Sequence, residues 1–132
     1  MAPESVVHAL RRIHRSLAPE GILLDLRSIP PHEAVEADGV QLGRMDESAF
    51  FARADASVAE LESLVAEGLF RHEAEVELEI LDRFDTAAEA LESLLARDHS
   101  RVPDELAARL REHDGPVALR ARLVLKRLRR LP

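Results

Sequence analysis

The chain contains no cysteine, no tryptophan and no tyrosine, and Lys126 is the only lysine among its 18 basic residues. Without cysteine there is no disulfide, no thiolate nucleophile and no thiolate metal site. This composition fits a reducing interior, so we expect a cytoplasmic protein. The dominance of alanine, leucine, arginine and glutamate is typical of a GC-rich bacterial genome and carries no mechanistic weight.

Long apolar runs and an excess of positive charge are also missing. The longest apolar runs, such as residues 21–24, are far too short to cross a bilayer, and the first residues lack the apolar stretch of a signal peptide. The formal net charge is −7, which opposes nonspecific attraction to nucleic acid or to an anionic membrane. We therefore expect no membrane partner and no nucleic-acid partner.

The length and the apolar content are those of one compact domain. The chain has 132 residues, 46% of them apolar, and a domain of this size buries roughly two-thirds of its unfolded surface. We therefore predict a single domain over residues 1–132.

Hydrophobic periodicity predicts a helix and then a strand at the start of the chain. The helix runs from residue 3 or 4 to residue 17, and a nearly continuous apolar strand follows over residues 22–29. Pro30 and Pro31 are predicted to end the strand, because proline cannot donate to a ladder. The predicted apolar face of the helix consists of Val6, Val7, Leu10, Ile13 and Leu17.

Turn and cap signals organise the next segment. The pair Asp38-Gly39 predicts a hairpin between residues 34–37 and residues 40–43, which would form a small arm. Asp46 can cap a helix that runs to residue 67, with or without a break near Asp55.

Two segments that alternate with period two predict long strands with one buried face each. In residues 70–81 the apolar positions begin with Phe70 and His72, and in residues 117–128 they begin with Val117 and Leu119. Two helices with clear start signals, at Asp85-Thr86 and at Pro103-Asp104, lie between these strands, and Leu91, Leu94 and Leu95 of the first helix are predicted to face the core.

The charges of the two long strands are complementary. If the strands pair antiparallel, the glutamates at positions 73, 75, 77 and 79 lie beside Arg120, Arg122 and Lys126, and each pair contributes about 0.2–1 kcal/mol. The basic segment 126–130 is therefore interpreted as a salt-bridged strand and its end, the alternative being a patch for RNA or phosphate.

The opening segment, residues 6–26, reads VVHALRRIHRSLAPEGILLDL. It resembles the segment that opens the second half of class I S-adenosylmethionine-dependent methyltransferases. The turn RSLAPEG is similar to the Arg-x-Leu-x-Pro-Gly-Gly-like turn of that family, with Glu20 in place of the first glycine. The later order of helix and long antiparallel strand pair extends the resemblance over nearly the whole chain. It implies an α/β protein with a partial Rossmann-like methyltransferase fold: a small mixed sheet, a long antiparallel C-terminal strand pair, about four helices and a small hairpin arm.

The resemblance lacks the half that binds the cofactor. In that family the preceding half carries a glycine-rich loop and an acidic residue that holds the ribose, whereas the five glycines here never form Gly-x-Gly. No residue is therefore assigned as a cofactor ligand. We expect no cofactor and no methyl transfer by the chain on its own, and S-adenosylmethionine binding only if a partner supplies the missing half.

Asp25, Arg27 and His32 are the candidate substrate-binding residues. They lie near the end of the first predicted strand, the side on which open α/β sheets place ligands. The alternative is a paired Asp and Arg with a loop histidine. The six histidines lack metal-ligand spacing, the serines lack a glycine-framed turn and no acid–base dyad is identifiable, so no metal ligand and no catalytic residue is predicted.

The missing half would leave one edge of residues 22–29 without a neighbour, and an open apolar edge invites pairing with another chain. A homodimer through this edge is preferred, because two-fold dimers are the commonest oligomers.

Three functions follow as hypotheses. The first is a noncatalytic methyltransferase-like domain that acts through dimerisation or through partner or ligand binding. The second is a subunit of a split methyltransferase, and the third is a small-molecule-binding protein with a pocket at the dimer seam around Arg27 and His32.

Overall fold

The structure of the protein is a computed structural model that describes the backbone of residues 3–132 and the side chains of residues 8–132. This part of the chain forms four helices and four strands, which confirms the predicted α/β class. The elements in chain order are α1 (Pro3–Ser16), β1 (Ile22–Ala37), β2 (Val40–Arg44), α2 (Ser48–Ala66), β3 (Phe70–Phe84), α3 (Ala87–Leu95), α4 (Asp104–Glu112) and β4 (Val117–Arg130).

The strands form one antiparallel sheet in the order β2-β1-β4-β3. At the end of β4, the N–H of Arg130 donates to the carbonyl of Gly21 at 2.8 Å, and the N–H of Leu131 donates to the carbonyl of Leu69 at 2.9 Å. The end of β4 thus lies beside the beginnings of β1 and β3, and the predicted long terminal pair is present. The sheet was predicted to be mixed, but β4 separates β1 from β3, so no two neighbours run parallel.

The chain divides into two compact units. The terminal unit contains Met1–Arg27, Phe51–Glu77 and Val124–Pro132, and the central unit contains Ser28–Phe50 and Leu78–Leu123. Strands β1, β3 and β4 contribute residues to both units.

The core of the terminal unit joins both of its helices to the sheet. His14 of α1 places its ring edge-on to Phe70, with the ring centroids 5.4 Å apart, and its Nε2 lies 2.9 Å from the carbonyl oxygen of Leu131. Helix α2 is continuous, without a break at Asp55. The predicted contacts of Val6 and Val7 lie outside the described side chains. The buried residues of its core cluster are Leu10, Leu61, Leu64, Phe70 and Leu128.

The core of the central unit packs α3 and α4 against β1 and β4. The Thr86 hydroxyl accepts a hydrogen bond from the N–H of Glu89 at 3.1 Å and caps α3, as the sequence predicted. Leu95 was predicted to face the core but is exposed. The largest buried contributions from the two helices are Leu91, Leu94, Leu106 and Leu110, and those from the two strands are Val35, Val117 and Leu119.

The hairpin arm forms as predicted, but β1 does not stop before it. Asp38 and Gly39 both have positive φ, 53° and 77°, and Ala37 pairs with Val40 across the turn. Strand β1 continues through Pro30 and Pro31 to Ala37. In the described part of the chain, β2 pairs only with residues 34–37 of β1. Backbone groups of a strand alternate between its two edges, so one of the two adjacent prolines faces the open edge, where its missing N–H breaks no ladder hydrogen bond.

Strand β3 carries most of its apolar side chains on the surface. The alternating face that begins with Phe70 was predicted to be buried, yet Phe70 is the one buried residue of the strand, and Val76 is 49% exposed. The prediction was wrong because β3 lies at the edge of the sheet, where only its ends reach a core cluster. The buried positions of β4 likewise do not follow a single predicted face, since Val124 and Leu128 are buried as well as Val117 and Leu119.

Ion pairs connect β3 and β4 as their sequences predicted. In the central unit Arg120 pairs with Glu79, and in the terminal unit the Lys126 Nζ lies 3.8 Å from a Glu75 oxygen. The basic end of β4 is salt-bridged too, since Glu73 lies 3.1 Å from Arg127 and 2.7 Å from Arg129.

Candidate functional site

Asp25 and Arg27 form an ion pair on β1 in the terminal unit. The Nε of Arg27 donates to both carboxylate oxygens of Asp25, at 2.9 Å and 2.7 Å. The side chains are two residues apart and therefore point to the same face of the strand, where they are 17% and 18% exposed. The contact uses Nε, so the two terminal nitrogens of the guanidinium remain for other contacts.

His32 belongs to the central unit and has a different set of neighbours. Its Nδ1 lies 3.1 Å from the carbonyl oxygen of Met45 and 3.1 Å from the backbone nitrogen of Glu47. A single ring nitrogen accepts from Glu47 only when it carries no proton and donates to Met45 only when it carries one. The ring is thus held against the segment after β2 in either tautomer.

An exposed apolar row lies on β1 of the terminal unit. Ile22, Leu24 and Leu26 alternate along the strand, so their side chains point to one face of the sheet, and they are 41%, 62% and 57% exposed. Leu23, between them, points to the other face and packs on the helix core. Three adjacent large apolar side chains that are exposed to solvent indicate an interaction surface.

The backbone beside this row is unpaired. The carbonyl of Gly21 points toward β4, where it accepts from Arg130. Because backbone groups of a strand alternate between its two edges, those of Leu23 and Asp25 also point toward β4, and those of Leu24 and Leu26 point to the opposite edge. No described strand pairs with β1 there before residue 34. The apolar row and the free backbone groups thus belong to the same residues, which we call the free edge of β1.

A buried carboxyl group lies in the central unit. Glu47 is only 3% exposed, and its Oε2 accepts from the N–H of Glu33 at 3.0 Å. Glu33 in turn holds Arg97 through a 2.9 Å ion pair, with the two side chains 14% and 22% exposed. Burial raises the pKa of Glu47 above its usual range, and the negative charge of Glu33 and a hydrogen bond between the two carboxyls raise it further. Arg97 pairs with Glu33 and not with Glu47. Of the two adjacent carboxyls, Glu47 is therefore the one that holds a proton more readily.

This arrangement predicts a pH-dependent stability that Glu47→Gln removes. A carboxyl whose pKa is raised in the folded state stabilises the fold fully below the unfolded pKa, about 4.3, and loses that contribution as the pH rises through the folded pKa. The amide of Gln can still accept from Glu33 and donate to its carboxylate. We expect the wild-type melting temperature to fall from pH 5 to pH 8 more steeply than that of the variant.

The carboxyls of Asp46 and Glu73 affect the stability of the fold at lower pH, so they serve as the internal reference for the Glu47→Gln comparison. Hydrogen bonds from Ser48 lower the pKa of Asp46 to about 2, and the Arg129 guanidinium lowers the pKa of Glu73 to about 2. Their contributions are present above their unfolded pKa values and are lost as the pH falls toward 2. Wild type and variant should therefore lose stability in parallel below pH 4. Identical melting curves from pH 5 to pH 8 would contradict the assignment to Glu47.

The described residues contain no group of three or more His, Asp or Glu side chains arranged to hold a metal ion. No helix among them is long and apolar enough to cross a membrane.

Sequence reasoning identified the free edge of β1 but missed the Glu33–Glu47 pair. The two glutamates are 14 positions apart, which is no recognised acid–base spacing. The turn at Asp38-Gly39 was only part of the signal, because the pairing of Ala34 with Arg44, which places Glu33 beside Met45, depends also on a register shift between Val35 and Glu36. The register of the arm therefore brings the glutamates together.

Comparison of this chain with family models, with curated proteins and with solved structures finds no match. The resemblance to class I methyltransferases and the Rossmann-like part of the fold therefore stay predictions.

Proposed function

We propose that this chain is a noncatalytic assembly domain that forms a two-fold homodimer through the free edge of β1. The observation that carries the proposal is the coincidence, on Leu24 and Leu26, of exposed apolar side chains with backbone groups that no strand of the described chain pairs. Each feature alone is common on protein surfaces. Together they form an edge that a second extended strand satisfies with hydrogen bonds and with apolar contact.

The charges of the strand select one register for the pairing. In a two-fold antiparallel pair, the residue numbers of opposed residues have a constant sum. If the two-fold axis passes between the two copies of Leu26, Asp25 lies opposite the partner's Arg27, and Arg27 lies opposite the partner's Asp25. A centre at Asp25 would oppose two aspartates, which is destabilising. Opposite charges thus favour the centre at Leu26.

The backbone geometry agrees with this register. The N–H and C=O of Leu26 point to the open edge, so the two copies of Leu26 can exchange both hydrogen bonds on the axis. Asp25 and Arg27 then occupy the non-hydrogen-bonded position, where opposed side chains approach most closely. Since the Arg27 Nε is used by its own Asp25, its terminal nitrogens remain available for the partner carboxylate. Four charges alternate around the axis.

The absence of cysteine makes a clean test of this register possible. We expect Leu26→Cys to form a disulfide-linked dimer when a mild oxidant is added to the protein at about 10 µM. Directly opposed residues of an antiparallel pair have Cα atoms about 5.5 Å apart, within the range that a disulfide spans. The measurement is the fraction of dimer on a nonreducing gel.

Leu24→Cys is the matched control, because it is equally accessible but opposes residue 28 in this register. Its two copies would be separated by roughly 13 Å along the strand, so we expect less than about a tenth of the cross-linking. Equal cross-linking of the two variants would contradict the register. A wild-type protein that sediments at the 14.7 kDa of one chain at this concentration would overturn the dimer itself.

A second candidate function is a subunit of a split S-adenosylmethionine-dependent methyltransferase. The observation that favours it is the position of β4 between β1 and β3, which leaves the free edge of β1 where the resemblance would place the missing half. In that case the edge recruits a different chain, the wild-type protein alone stays monomeric, and S-adenosylmethionine binds only to the mixture. The same sedimentation measurement therefore separates the two candidates.

A further inference from the structure

The outer strand of the sheet carries an exposed segment in the central unit. Residues 78–82 of β3 are all exposed to solvent, and Leu78, Ile80 and Leu81 are 39%, 48% and 40% exposed. Leu78 and Ile80 point to one face of the strand, and Leu81 points to the other. We call residues 78–82 the β3 edge segment. It presents apolar side chains on both of its faces.

The backbone of the β3 edge segment has an open side. Strand β3 stands at the end of the strand order, so β4 is its only strand neighbour in the described chain. Because backbone groups alternate between the two edges of a strand, those of at least two of the five residues point away from β4. Natural edge strands are often short or carry lysine or proline, whereas β3 has 15 residues and contains neither. The segment can therefore accept a further strand.

The net charge of the chain is concentrated in the unit that holds this segment. The central unit contains 15 of the 25 acidic residues but only 8 of the 18 basic ones, whereas acidic and basic residues are equal in number in the terminal unit. The formal net charge of −7 thus belongs to the central unit, and its field attracts basic partners.

At the segment itself, one arginine serves two carboxylates. The Arg120 Nε donates to Glu36 at 2.8 Å, and its Nη1 donates to the Oε1 of Glu79. The Glu79 side chain is 47% exposed, and its Oε2 can accept from a second donor. Asp82 and Arg83 cancel in the formal count, so these side chains together keep one negative charge.

We propose that the β3 edge segment binds an extended segment of a partner protein in which arginine or lysine alternates with apolar residues. Strand β4 shows that this pattern fits β3, because Arg120 pairs with Glu79 and both chain neighbours of Arg120 are apolar. An antiparallel partner with the same alternation opposes a basic residue to Glu79 and apolar residues to Leu78 and Ile80. Backbone hydrogen bonds, opposite charge and apolar contact then act together.

The probe is a peptide with the sequence of residues 117–123, VALRARL, extended by an N-terminal tryptophan. The protein has no tryptophan and no tyrosine, so the fluorescence anisotropy of the peptide reports its binding to the full chain. We expect a dissociation constant below about 200 µM at low salt. The control peptide VALEAEL, with glutamate in place of both arginines, should bind at least about tenfold more weakly. Equal binding of the two peptides, or no binding of the arginine peptide at about 1 mM, would overturn the proposal.

A pair of N-methylated peptides tests the strand pairing itself. Methyl groups on the backbone nitrogens of every second residue block the hydrogen bonds of one edge of the peptide, and the alternate set blocks the other edge. An added strand pairs through one edge only, so one methylated peptide should lose its binding and the other should keep it. Similar affinities of these two peptides would show that binding does not occur by strand addition.

Two variants locate the binding surface on the protein. Ile80→Lys adds a positive charge to the segment, and we expect it to weaken binding of the arginine peptide by about tenfold or more. Ile80 is 48% exposed, so the fold stays intact, and Leu95→Lys, at a position 57% exposed in the same unit, is the matched control. Glu79→Gln should weaken binding by about fivefold, whereas Glu105→Gln, at a side chain 77% exposed on α4, should bind as the wild type does. Unchanged affinity in Ile80→Lys would place the peptide on another surface and overturn the proposal.

Discussion

Leu26→Lys is expected to convert the protein from a dimer into a monomer. In the two-fold register Leu26 lies on the axis, so one substitution removes two apolar contacts and opposes two ammonium groups. Loss of two half-buried leucines costs about 3 kcal/mol, which corresponds to a dissociation constant raised by roughly 100-fold before any charge repulsion. Sedimentation at 10 µM should then give the 14.7 kDa of one chain instead of twice that mass.

Leu95→Lys is the matched control for this result. Leu95 lies on α3 in the central unit and is 57% exposed, the same fraction as Leu26. The chemical change and the exposure are identical, so only the position differs. The control should remain a dimer with an unchanged melting temperature. If both variants stay dimeric, the two chains associate through a surface other than the free edge of β1.

Phe70→Ala should be the most destabilising substitution in the terminal unit. Phe70 is 1% exposed and contacts the core leucines of both helices and the ring of His14. Truncating a buried phenylalanine leaves a cavity and costs about 3–5 kcal/mol. With an m value of about 1.5 kcal/mol per M, the urea midpoint should fall by roughly 2–3 M. Unfolding is followed at one fixed protein concentration, because dimerisation adds to apparent stability.

Val76→Ala provides the comparison on the same strand. Val76 lies on the same alternating face as Phe70 but is 49% exposed, so its truncation removes little buried surface. We expect a change within about 0.5 kcal/mol, as for ordinary surface positions. A cost for Val76→Ala close to that of Phe70→Ala would mean that this part of β3 is covered in solution, for example by another chain.

The sequence predicted the parts of the fold that depend on local signals. The turn at Asp38-Gly39 and the cap at Thr86 act through a few neighbouring residues, and both are present. The burial of β3 depends instead on its place in the sheet. Its alternation of apolar and charged residues is the same for an edge strand as for an internal one, so a single sequence could not separate the two. The continuation of β1 past Pro30 and Pro31 could not be predicted either, because whether a strand tolerates a proline depends on which edge its missing N–H would face.

The candidate sites divide in the same way. The apolar residues of the free edge of β1 are visible in the sequence, but the lack of a neighbouring strand was predicted only from the resemblance to methyltransferases. The Glu33–Glu47 pair could not be predicted, since it depends on the register shift between Val35 and Glu36. The sequence showed the basic end of β4 but not which of its arginines would be neutralised. Among the described residues, Glu73 pairs with Arg127 and Arg129, and no carboxylate pairs with Arg130.

The terminal unit is assembled from the first and the last segments of the chain, and this has a consequence for protein synthesis. Leu10 of α1 shares its core with Leu128, and Gly21 receives its hydrogen bond from Arg130. Helix α1 therefore cannot bury Leu10 in this core until residues 124–132 have been synthesised and have left the exit tunnel. Until then the apolar side of α1 lacks its partners, and the terminal unit completes its fold only after its last segment has emerged.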